Sequence, residues 1–441
     1  MIKTKVYNQS FYLTRSVIQY LKSFQSQHYS TVEATTQNVT SEENSSFKTS
    51  KRKTRDSVCK DLVKYLTSHN PSLDIKSVPE TYLTKRKSIK TLYLANSQTA
   101  AMVAKLLKPH IHQCKAEVIE CRPGLGLLTD HLLNMKITKL NLHEPDPFFY
   151  QNLLKLGSKD KVKIFNNDMV QIPKYNATKR KPDLTFDYIE KKNWEDECIF
   201  QLIATLTNQD FLRYLLRNFT NQNGLLSYGR PLMYLFITPS TYQKLIAGPH
   251  QPWNLYKPLA VLFQIIFNIE LLSKVDRNAF IPWPTIPVTA KKTELKEEEP
   301  MYLIKVKGKR DVYQKLGKHN AHRVNTLQKF VTHVIGRKKQ RVIPTIEQWV
   351  PGFGPHLIAR NISVFTLFNE LTPAEMFDIF CMIHHIPGYE EFDIPVTLDS
   401  AQETKKHIDT SIDFDLEVEE EEDEEEVEDP DDGLGGLPRD T

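Results

Sequence analysis

Residues 119–133 read IECRPGLGLLTDHLL. An apolar run passes through Pro123-Gly124-Leu125-Gly126 and then into leucines at helical spacing, which predicts a strand, a tight turn and a helix. Glycines in such a turn let the backbone bend sharply and let a ligand approach the helix N-terminus. Arg122 stands where the turn would ordinarily carry a further glycine. If that position takes a positive φ, a side chain there costs roughly 1–2 kcal/mol, and the arginine would project into the space over the turn.

Working outward, the pattern alternates. Strands are predicted at 116–121, 138–143 and 162–165, with helices over about 126–134 and 147–156. Strand and helix at this spacing make βαβ units and a parallel sheet. Upstream, a helical pattern covers Asp56 to Leu66, and LANSQTAAMVAKLL starts a second helix with Asn96 or Ser97 as N-cap. After Asp168 comes a polar insertion up to Asp196, expected to be exposed. CIFQLIATL (198–206) resumes as a buried strand, NQDFLRYLLRNF as an amphipathic helix, and LMYLFIT from Leu232 with the apolar stretch 259–272 completes the sheet domain. KKTELKEEE (291–299) is a charged loop before the strand MYLIKVKG. From about His322 the pattern is helical, and Thr372, Pro373 and Glu375 make a helix start with a capping box. The fold class expected is α/β: a Rossmann-like class I methyltransferase sheet with a small all-helical C-terminal domain. The divisions are 1–32, 33–54 as linker, 55–320 for the sheet domain, 321–395 for the helices and 396–441 as an acidic tail.

The formal net charge of +4 conceals a segregation. Residues 413–432 hold 15 acids and no base, which leaves +19 on the rest of the chain. A body that basic points to an anionic partner, nucleic acid first. The basic residues cluster as Lys85, Arg86 and Lys87; Lys179, Arg180 and Lys181; Lys305, Lys307, Lys309 and Arg310; and Arg337, Lys338, Lys339 and Arg341. Any one cluster is an ordinary solvated face; four together predict a nucleic-acid groove. Tyr228 and Arg230 are candidates to hold a displaced base, with a buried strand-capping tyrosine as the equal alternative. The first 32 residues are basic, hydroxyl-containing and free of acid, the pattern of a mitochondrial transit peptide, against the plainer reading of a basic disordered start. Five scattered cysteines show no metal-ligand spacing. PLAVLFQIIFNIELL from Pro258 is shorter than the roughly 18 apolar residues of a membrane span.

In a doubly wound sheet the ligand sits at the carboxyl ends of the strands. Glu120, Gly124 and Gly126 fit the turn, Glu144 in LHEPDP the ribose-binding carboxylate, and Asp168 in FNNDMV the group at the base edge. Three matches in order favour an S-adenosylmethionine pocket over an ordinary strand-to-helix turn. Glu120 to Thr129 follows, with one departure, the motif E-x-G-P-G-x-G-x-L-T of the rRNA adenine N6-dimethyltransferase family, which the chain resembles over about residues 90–390. FIPWP (280–284), GRKKQR (336–341) and ELTPAEMFDIF extend the likeness. YGRPLMYLFITPSTYQKLIA (228–247) with PWNLYKPLAVLFQ resembles its mitochondrial transcription factor B branch, of the second paralogue type.

That resemblance implies S-adenosylmethionine as cofactor and, in this branch, partnership with the single-subunit mitochondrial RNA polymerase and with promoter DNA, especially its unpaired strand. Enzymes of the family carry N-L-P-[YF] after the fourth strand, where the aromatic ring stacks on a flipped adenine. The alignment puts Gln201, Leu202, Ile203 and Ala204 there, with no ring and no proline, so methyl transfer is expected to be absent or vestigial. Three functions stand: an initiation factor that melts and holds promoter DNA, an active mitochondrial small-subunit rRNA adenine dimethyltransferase, and a non-catalytic rRNA-binding assembly factor.

Overall fold

The structure is a computed structural model. It describes residues 58–386 apart from 87–88, 136, 138, 157–160, 172–187, 253, 285–298, 318–320 and 338. The expected transit peptide, linker and acidic tail lie outside the described residues, as do Lys87, Lys179, Arg180, Lys181 and Lys338.

Nine strands are described: β1 (Tyr93–Leu94), β2 (Glu117–Cys121), β3 (Leu140–His143), β4 (Val162–Phe165), β5 (Phe200–Thr205), β6 (Pro231–Ile237), β7 (Phe267–Val275), β8 (Phe280–Ile281) and β9 (Met301–Gly308). Seven form one sheet in the order β4-β3-β2-β5-β6-β9-β7. The first five run parallel, and β9 lies antiparallel between β6 and β7. This is the expected α/β class. β5 and β6 are buried at every residue, because helices cover both faces of the sheet and a doubly covered strand must be apolar throughout.

One face carries the Ser97–Gln113 and Leu127–Leu133 helices over Val118, Leu140, Leu142 and Ile203. The other carries the Asp210–Asn221 and Pro258–Ile266 helices, on which Ala321–Ile335 and Pro373–His384 pack in turn. Phe200, Phe263, Phe330 and Phe380 therefore belong to one continuous core, and the C-terminal helices share it with the sheet. Asn96 is the N-cap, its Oδ1 accepting from the Thr99 N–H, and the helix it starts continues to Gln113. The capping box at Thr372 and Glu375 forms, with the Thr372 N–H donating to Glu375 Oε2 at 2.8 Å and the Glu375 N–H to Thr372 Oγ1 at 3.2 Å.

The apolar stretch 259–272 completes the sheet domain as expected, as a helix that ends at Ile266 and a strand, β7, that begins at Phe267. One expectation is corrected. The insertion after Asp168 is not exposed throughout. Ile189 and Trp194 are buried, and Trp194 packs edge-on against Phe219 and Tyr313 while its Nε1 donates to the Lys309 carbonyl at 2.7 Å. Sparse apolar residues in a polar run were enough to anchor it, a tertiary effect that composition averages away.

Candidate functional site

β2, β3 and β5 end at one edge of the sheet, and the pocket residues gather there. Parallel register sets Glu120 opposite Leu142 on one side and Ile203 on the other. The Pro123–Gly126 turn leaves that edge with Gly124 at φ 57° and Gly126 at φ 73°, and Gly126 is the N-cap of the Leu127–Leu133 helix. A Cβ on Gly124 would lie 2.5 Å from Cδ1 of Tyr93, so the ring packed over the turn requires a glycine. Glu120, Glu144 and Asp168 are all at least nine-tenths buried around it.

Each carboxylate is already engaged by the chain. Glu120 accepts from Thr129 Oγ1 at 2.7 Å. Glu144 accepts from the Tyr93 hydroxyl at 3.0 Å and the Asp146 N–H at 2.9 Å on one oxygen, and from the Gly124 N–H at 2.8 Å on the other. Burial pushes Glu120 up to about 8 and Glu144 to about 7, the latter partly offset by those backbone donors. Tyr93 sits in a ring cluster with Tyr82 and Phe149, at centroid distances of 5.1 and 4.9 Å.

Asp168 is held by Arg122. The arginine takes the positive φ anticipated for that position, 57°. Its Nε and Nη2 straddle the carboxylate, with Nη2 2.7 Å from Oδ2 and both side chains 2% exposed. The Val170 N–H also donates to Asp168, at 3.0 Å. Two flat groups in such a fork make a strong, directional pair. The Arg122 Nη1 is buried with no hydrogen-bond partner, and the cavity it lines with Lys90, Gln171, Thr207 and Asn208 is about 20 Å³, room for a water molecule rather than a nucleoside. The side chain expected at the base edge of S-adenosylmethionine is thus held in a buried ion pair, and the carboxylate expected at its ribose already accepts from a tyrosine and two backbone N–H groups.

The supposed catalytic motif is corrected. Gln201 to Ala204 lie inside β5 and are buried. Gln201 Nε2 points to the opposite edge, near the carbonyls of Ile111, Cys114 and Ala116 at 3.2, 2.9 and 3.3 Å. Phe200 and Leu202 are core residues. The chain leaves the sheet beside Arg122 at Thr205-Leu206-Thr207-Asn208, the segment that sequence reasoning missed. Thr207 Oγ1 donates to the Lys90 carbonyl at 3.0 Å, and Asn208 accepts from the Asp210 N–H at the next helix start. That helix start was the available signal, since the turn off a strand immediately precedes it. The corrected segment carries neither an aromatic ring nor a proline.

The basic residues fall into unlike settings. Arg230 is 3% exposed, and its three nitrogens donate to the carbonyls of Trp194, Gly308 and Asp196. It is therefore corrected from a nucleic-acid contact to a structural brace at the amino end of β6. Tyr228, just before it, is partly buried against the core. Lys305 pairs with Glu270 at 2.9 Å, Arg310 with Glu197 at 3.1 Å, and Lys309 donates to the Gln264 carbonyl, which leaves Lys307 as the exposed cation of β9 itself. Lys85 and Arg86 are half-buried, and Arg86 donates to the Thr81 carbonyl. Arg337, Lys339 and Arg341 are exposed.

The family model for ribosomal RNA adenine dimethylase matches residues 82–300, from the approach to β1 into the segment before β9. Residues 82–300 of this chain form a ribosomal RNA adenine dimethylase domain by that match. Among its relatives is the Drosophila melanogaster protein named dimethyladenosine transferase 2, mitochondrial, 25% identical over 376 residues, covering 73% of this chain and 82% of that one. The Homo sapiens protein of the same name is 23% identical over 305 residues, 64% of this chain and 70% of its own. A dimethyladenosine transferase structure from Plasmodium falciparum superposes with a TM-score of 0.43 at 12% identity, covering 64% of this chain and 95% of that chain.

Proposed function

We propose that this chain is a mitochondrial transcription initiation factor in which the methyltransferase fold has been retained and the methyl-transfer chemistry lost, and that it works with the single-subunit mitochondrial RNA polymerase to hold promoter DNA open. The observation that carries the loss of chemistry is the buried Arg122–Asp168 pair. It removes the base-binding carboxylate, while Thr205 to Asn208 offer no ring for a flipped adenine. Mitochondrial placement draws support from the names of the relatives and from the acid-free first 32 residues.

Strand separation costs roughly 1.4 kcal/mol per base step in lost stacking. A protein that binds the unpaired strand lowers that cost, and a fold built around access to an extruded base, with +19 outside the acidic run, suits the task. Binding to mitochondrial rRNA without catalysis is the second reading, supported by the family and by the same charge.

Run-off synthesis from linear duplex mitochondrial promoter DNA tests the proposal, with the cognate polymerase alone and with this chain. Full-length product is expected to depend on the chain, and a premelted promoter to relieve the dependence. Product that is indifferent to the chain removes the initiation role. In parallel, isothermal titration with S-adenosylmethionine is expected to give no binding heat; saturable binding would contradict the loss of the cofactor.

A further inference from the structure

Phe365 is 70% exposed, the most exposed of the large apolar side chains among the described residues. It is not a loose loop tip. The Ser363 N–H donates to Thr366 Oγ1 at 3.1 Å and the Phe365 N–H to Ser363 Oγ at 3.3 Å, which pins the turn. The turn is in turn fastened to the basic run 336–341. Arg341 bridges Leu367, the Val342 N–H donates to the Thr366 carbonyl at 2.9 Å, and the Phe368 N–H to the Gln340 carbonyl at 3.0 Å.

This fastening places the Arg341 guanidinium carbon 5.4 Å from the centre of the Phe365 ring, within cation–π range. At its exposure the ring keeps a surface open to solvent. Residues 336–346 and 356–369 contain no acid. Arg337, Lys339, Arg341 and Arg360 are exposed on them. The flanking acids face backbone: Glu347 accepts from the Gly352 and Gly354 N–H groups, and Glu370 from Leu367.

An exposed aromatic ring alone fits an apolar partner, whereas four exposed cations alone fit any polyanion. A rigid ring set beside several exposed cations, with Asp378 lining a cavity with Arg360 as a nearby acid, matches a ligand that is flat and anionic at once, which is unpaired nucleic acid. We infer that Phe365 and Arg341 form a stacking platform for a base of single-stranded nucleic acid, with Arg337, Lys339 and Arg360 along the path of its phosphates. The inference rests on the nucleic-acid-binding part of the proposed function and adds a site on the C-terminal helical part, outside the pocket at the sheet edge.

Fluorescence anisotropy with the full chain tests it, using a labelled single-stranded DNA and an abasic strand of equal length. The wild type is expected to prefer the strand with bases. Phe365→Ala should weaken that strand by about five- to one-hundred-fold and leave the abasic strand unchanged, while Phe365→Trp keeps the preference. Arg341→Ala should weaken both strands. An unchanged melting temperature for F365A is expected from the exposure of the ring and excludes misfolding. Equal binding of both strands by the wild type, or F365A binding as the wild type does, overturns the inference. So does an F365A variant that keeps the strand and loses the polymerase, which would mark a protein-docking face. Polymerase and promoter are absent from the strand assay, so run-off can fail while the platform stands, and the reverse.

Discussion

At the scale of one residue, Arg122 carries the proposed loss of chemistry. A non-glycine residue at φ 57° bears about 1–2 kcal/mol of backbone strain, and the fork it makes with Asp168 offsets that. Removing one member of a buried pair leaves an uncompensated charge, typically about 3–5 kcal/mol. Arg122→Gly is therefore expected to destabilise the protein by roughly 2–3 kcal/mol despite relieving the strain, and R122G/D168N to recover much of the loss, read as urea midpoints in a double-mutant cycle. If R122G alone is stabilising, the pair is not what holds the turn closed. The arginine was legible in the sequence as a departure from the glycine pattern, and its direction was not: whether it reached solvent, cofactor space or a carboxylate depended on where Asp168 stood, 46 residues away.

At the scale of the element, periodicity located the strands and helices of the sheet because burial on two faces leaves a strong apolar signal in β5 and β6. What it misplaced was position along a strand. Gln201 looked like a substitute for a catalytic asparagine, yet its side chain is turned to three carbonyls that close the Ser97–Gln113 helix and lead into β2. A strand's length in sequence does not say which of its ends a polar side chain serves, and pairing with β2 settled it. Gln201→Leu is expected to cost about 1–3 kcal/mol, since it takes the side-chain donor from the partly buried carbonyls of Cys114 and Ala116. Thermal unfolding checks this, and a loss below half a degree would mean that the amide is dispensable. Arg230 illustrates the same limit: its charge suggested a surface, and three carbonyls in space made it a brace.

At the scale of the whole molecule the charge is the leading fact. The acidic run at 413–432 opposes a body of +19, and a tethered polyanion competes with DNA for cations at high local concentration. Deleting residues 412–441 is expected to raise affinity for nonspecific duplex DNA severalfold at low salt, with the difference fading as salt rises; equal affinities at low salt would leave the tail without that role. Such a segregation is a property of the chain, readable before any fold is known. So were the α/β class, the glycine turn, the carboxylates at successive strand ends and the capping box at Thr372, because each is written within a dozen or so residues as a period, a turn or a cap. What those parts do to one another was settled by tertiary contacts: that Arg122 turns inward to Asp168, that Tyr93 and Gly124 donate to Glu144, that Gln201 faces the far edge, and that Phe365 is fastened beside Arg341. These are contacts between segments far apart in the chain, set by strand register and helix packing, and no local pattern encodes them.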